Sequence, residues 1–80
     1  MTSRLEAATE WRIVCERACN TARQWAAHAE KRAAEHPYSS GYADIAKAAR
    51  RRATWALARA LEAGHEERVE RANEWEKNNG

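Results

Sequence analysis

Phenylalanine is absent from this chain of 80 residues, and leucine, isoleucine and valine together number only seven. Large side chains therefore contribute little burial. At roughly 25 cal/mol per Å² of apolar surface removed from water, a core built from so few closes weakly. There is a single proline, Pro37, and only three glycines, so almost nothing interrupts regular structure outside one segment. The longest apolar run is Trp55-Ala56-Leu57-Ala58, far too short to span a bilayer. The start, Met1 to Glu6, shows no basic segment followed by an apolar stretch, and so does not read as a secretion signal. Cys15 and Cys19 are the only cysteines. Without such a signal they read as reduced thiols, and the expected location is cytoplasmic.

Alanine is what the chain has in abundance, with nineteen of its residues. It is the best helix former and brings almost no surface to bury. The scarcity of large aliphatics alone would point to disorder. Two features oppose that reading: the formal net charge is only +2, and the apolar positions are patterned. Four tryptophans add a large area per residue.

The punctuated segment is His36-Pro37-Tyr38-Ser39-Ser40-Gly41. Proline disfavours helix for the residue before it, and serine caps a helix that follows. Chain order and caps predict a helix over about 4–36, a turn over about 37–41 and a helix over about 42–76, in one helical domain. Ser3-Arg4-Leu5-Glu6 has the S-x-x-E pattern of a capping box. In the first helix, steps of three and four through Ala8, Trp11, Cys15, Ala18, Ala22, Trp25 and Ala29 predict a heptad-like seam. In the second helix the predicted seam is Tyr42, Ile45, Ala46, Ala49, Ala53, Ala56, Leu57, Ala60 and Gly64, drifting afterwards toward Ala72 and Trp75. Gly64 leaves two readings open. A helix tolerates glycine at a cost of about 1 kcal/mol; alternatively the helix ends there and a short third helix follows.

The expected fold is all-α: a long antiparallel two-helix hairpin with Trp25 near Ala53. One stripe per helix buries little, so two hairpins are expected to dimerise into a four-helix bundle. Trp55 points away from its seam, among Arg51, Arg52 and Arg59, and Ile13 points away from the first seam. Tryptophan and arginine are the residue types that anchor interfaces, and these five residues are the expected partner-binding set.

Chemistry is poorly represented. Cys15 and Cys19 share a helix face but are too far apart for an easy disulfide. No second ligand pair accompanies them, so no metal or cofactor is expected. Triads, paired carboxylates and phosphate-binding loops lack their parts, and no enzymatic activity is expected. Charge is more informative. Between Lys47 and Leu61 lie five basic residues and no acid, and from Glu62 onward six glutamates face three basic residues. The expected function is a small interaction module that binds or blocks a larger protein, as a homodimer. An accessory or inhibitor protein of a phage or mobile element would fit that description. The alternative is a nucleic-acid-binding bundle using Lys47, Arg50, Arg51 and Arg52.

Overall fold

The computed structural model describes residues 2–80. Among them are two helices and no strand: α1, Arg4–Glu35, and α2, Ser40–Asn79. The Ser3 hydroxyl accepts a hydrogen bond from the Glu6 N–H at 3.1 Å, one half of the capping box that the sequence predicts. The second helix starts two residues earlier and ends three residues later than expected. Ser39 is its N-cap but makes no side-chain capping bond. Gly64 does not break α2, which runs through it without interruption.

Four residues, 36–39, reverse the chain. The His36 N–H closes α1 by donating to the carbonyls of Arg32 and Ala33, and the Ser39 N–H donates to the His36 carbonyl at 3.1 Å. The His36 ring stacks on Tyr42 with centroids 4.2 Å apart, and the Arg32 guanidinium lies 5.9 Å from the Tyr42 centroid. This clasp joins the last turn of α1 to the first turn of α2.

From the clasp the helices run antiparallel in a body 64 × 18 × 13 Å. Their seam is made of small residues. Ala26 and Ala29 pack with Ala46 and Ala49, and Cys19 and Ala22 pack with Ala56. Ala33, Ala53 and Ala60 flank these clusters. Along α1 the row that faces α2 is Ala8, Arg12, Cys15, Cys19, Ala22, Ala26, Ala29 and Ala33, all buried or half-buried, at alternating steps of four and three. Along α2 the facing row is Tyr42, Ala46, Ala49, Ala53, Ala56, Ala60, Ala63 and Glu67, continuing to Glu70 and Glu74. Both rows keep the 3.5-residue repeat of a coiled-coil seam.

Three seam expectations are corrected. Trp11 and Trp25 lie outside the contact, at 43% and 52% exposure. An indole is too large for a gap that alanines close, so the row one residue further on, Arg12, Cys19 and Ala26, faces α2 instead. Ile45 and Leu57 sit on the shoulders of α2 and are exposed. Beyond Gly64 the seam continues through Glu67, while Ala72 and Trp75 are exposed.

Candidate interaction surface

All four tryptophans are substantially exposed: Trp55 and Trp75 at 63% and 66%, beside the values for Trp11 and Trp25 above. Val14, Ile45, Leu57, Leu61 and Val69 are exposed as well. The chain thus places its smallest apolar residues inside and its largest outside. Total accessible surface is 6486 Å², whereas folded monomers of this mass average about 4,900 Å². The radius of gyration, 18.1 Å, likewise exceeds the about 12 Å typical of a compact domain this long.

The large residues fall on two flanks of the seam. On the first, α1 contributes Trp11, Val14, Ala18 and Trp25. From α2 come Ile45, Ala48, Arg52, Trp55, Arg59, Glu62, Glu66 and Val69, again at alternating steps of three and four. Two contacts place these rows side by side. The Arg59 guanidinium carbon lies 5.2 Å from the Trp55 ring centroid and 5.7 Å from that of Trp11, bridging the helices by cation–π contact. Trp25 borders a shallow recess with Ile45, Ala48 and Arg52. We refer to this surface as the tryptophan face.

The opposite flank carries Leu57 and Leu61, which line a recess with Glu16, Asn20 and Arg23. Seven-residue spacing continues that row from Leu61 to Trp75. Glu30 accepts from Arg50 Nε at 2.8 Å on the same flank, an exposed pair between the helices.

The residues singled out from sequence are therefore divided. Trp55, Arg52 and Arg59 share the tryptophan face. Arg51 borders a depression on the outer side of α2 with Lys47, Arg50, Thr54, Trp55 and Ala58, formed by that helix alone. Ile13, one heptad before Asn20, belongs to the leucine flank and is half-buried. It does not join Trp55, because the two lie on opposite flanks of the hairpin. Successive arginines point about 100° apart, so Arg50, Arg51 and Arg52 form a girdle around the helix and no single patch.

Sequence reading missed the polar closure at the open end. Glu67, only 8% exposed, occupies a seam position. Its Oε2 accepts from Arg12 Nε at 2.6 Å and its Oε1 from Arg71 at 3.4 Å. Arg12 also reaches Glu16 at 2.9 Å. The Arg12 hydrogen bond, with help from Thr9 and Arg71, holds the Glu67 carboxyl below its ordinary value despite the opposing effect of burial. The same hydrogen bond raises Arg12. The available signal was the spacing: Glu67 falls seven residues after Ala60 and four after Ala63.

Cys15 and Cys19 are free thiols buried in the seam. No group of three or more histidine, cysteine, aspartate or glutamate side chains among the described residues is placed to hold a metal ion. No helix among them is long and apolar enough to cross a membrane. A scan of protein-family models, a search of curated proteins and a search of solved structures each find no match to this chain.

Proposed function

We propose that this chain is a non-enzymatic interaction module. It pairs with a second copy through the tryptophan face and acts by occupying the surface of a larger protein. One observation carries the reading: a seam of alanine and cysteine holds the hairpin, while every tryptophan is displayed to solvent. Large apolar side chains gathered on exposed flanks mark contact sites, and here Trp11, Val14, Trp25, Ile45, Trp55 and Val69 share one flank. Trp55, backed by Arg52 and Arg59, supplies the aromatic and guanidinium anchors that dominate interface energetics. Small accessory and inhibitor proteins of phages and mobile elements act in this manner; that placement rests on size and fold-level analogy.

Light scattering across a concentration series tests the pairing. The expected mass at micromolar concentration is twice 9.1 kDa, with Trp55→Ala shifting the chain toward monomer while helicity by circular dichroism is retained. A wild-type mass of 9.1 kDa with a cooperative melt overturns it. Affinity capture from the native host tests the larger partner: a specific protein retained by the wild-type dimer supports the reading, and none retained counts against it.

The nucleic-acid reading has one observation in its favour, the depression that Lys47, Arg50 and Arg51 border together. Against it, Glu30 already engages Arg50, and Arg52 lies on the other flank. A gel shift at two salt concentrations decides, because phosphate binding weakens steeply with salt.

A further inference from the structure

Resting on that reading, we infer that the tryptophan face is completed by a second copy lying antiparallel, about a two-fold axis that crosses α2 midway between Trp55 and Arg59. The charge order along α2 points to this arrangement. On the tryptophan face the row reads Ile45, Ala48, Arg52, Trp55, Arg59, Glu62, Glu66, Val69. Its first half carries one charge, Arg52, its second half carries Arg59 beside the centre and then Glu62 and Glu66, and an apolar residue stands at each end. Reversed and laid on itself, the row complements itself at three of its four pairings, and at the fourth Glu66 faces Ala48 of the partner subunit. Arg52 faces Glu62 of the partner subunit, Trp55 faces Arg59 of the partner subunit, and Ile45 faces Val69 of the partner subunit. Each pairing then recurs by symmetry, as an isologous contact requires.

Arg52 has no carboxylate within helical reach in its own chain, while Glu62 has Arg59 three residues before it without pairing to it. Residues three and four away from Arg52 are Ala48, Ala49, Trp55 and Ala56, so no helical neighbour offers it a carboxylate. Its complement Glu62 is ten residues away in the same helix, about 15 Å, beyond side-chain reach. Among the described residues, neither Arg52 nor Glu62 takes part in an ion pair.

Symmetry separates this arrangement from its rival. A two-fold axis parallel to the helices would stack α2 on α1 of the partner subunit. The facing row of α1, from Trp11 through Val14, Ala18 and Trp25 to His28, carries no aspartate, glutamate, lysine or arginine. Arg52 and Glu62 would both lose water and gain nothing, an arrangement that burial of unpaired charge disfavours. The antiparallel axis stacks α2 on α2 and α1 on α1, so that Arg52 meets Glu62 of the partner subunit, Arg59 meets Trp55 of the partner subunit, and the uncharged rows of α1 meet each other.

Charge exchange between chains provides the test. Arg52→Glu places two acids opposite one another at each symmetric site, and Glu62→Arg places two bases there. Each variant alone is expected to dimerise at least roughly tenfold more weakly than wild type, with unchanged helicity. Mixed in equal amounts, the two variants restore both pairings, and a heterodimer of near wild-type affinity is expected by sedimentation. Variants that stay monomeric when mixed overturn the register, as do variants that dimerise as wild type does; in both cases the homodimer itself stands. A wild-type chain that is monomeric throughout sinks the underlying reading instead.

Discussion

Arg12 donates from Nε to Glu67 Oε2 at 2.6 Å, and so joins α1 to α2 where the alanine seam gives out. Pairing holds the Glu67 carboxyl below its ordinary value near 4.5. A carboxyl whose folded value is depressed contributes stability that is complete above the unfolded value and is lost as pH falls through the folded one. Thermal midpoints of the wild type should therefore be level in this pair's contribution near neutrality and decline below about pH 4.5. Glu67→Gln should lower the midpoint at pH 7 and flatten that acid decline. An acid profile identical to wild type would assign the decline to other carboxylates.

Burial of this pair does not make it the best use of the site. Ion pairs removed from water often contribute less than well-packed apolar residues of similar size. The double variant Arg12→Leu/Glu67→Leu should melt at or above the wild-type temperature, while Arg12→Leu alone, which strands the carboxylate, should melt below it. Differential scanning calorimetry of both variants checks the order.

Gly64 offers a simpler gain. It is helical with ordinary backbone angles, and a Cβ added there meets only the flexible end of Arg68, at 3.6 Å. Gly64→Ala should stabilise the chain by about 1 kcal/mol through helix propensity. Chemical denaturation at unchanged slope measures this, and a destabilised variant would mean that α2 needs to bend at that point.

Ala53 and Trp55 are two residues apart and should behave in opposite ways. Ala53 packs against both alanine clusters. Ala53→Glu forces an unpaired charge into the seam at roughly 3–5 kcal/mol, comparable to the about 3–5 kcal/mol a core this small supplies. Far-ultraviolet circular dichroism should show it largely unfolded. Trp55→Ala should keep its helical signal and lose association. A Trp55→Ala chain that loses its helical signal would show the indole to be holding the hairpin itself.

The course of both helices was legible from caps, spacing and the single proline. So was about half of the α1 seam and most of the α2 seam. Ala8, Cys15, Ala22 and Ala29 face inward as their spacing indicates, as do Ala46, Ala49 and Ala56. The other half of the α1 seam was misread for a physical reason. Two heptad rows, one beginning at Trp11 and one at Arg12, both fit the repeat, and ranking by hydrophobicity favours the indoles. What decides is close approach: alanines let the helices come together and so expel anything larger. Glu67 escaped notice because a carboxylate carries no hydrophobic signal. Its partner, Arg12, is 55 residues away, where no local rule reaches. Trp55 was identifiable as outward-facing from its angle alone. That it shares Arg59 with Trp11 depends on the register between helices, which single-helix periodicity does not specify.

The stack of His36 on Tyr42 has a kinetic consequence. Closing the shortest loop costs the least chain entropy, and here that loop is already fastened by two rings. Assembly then proceeds like a zip drawn from its stitched end, each alanine layer shortening the slack for the next. Arg12 and Glu67 engage late, near the open end. Amide exchange should therefore be fastest beyond them, where Trp75 stands on the fraying edge.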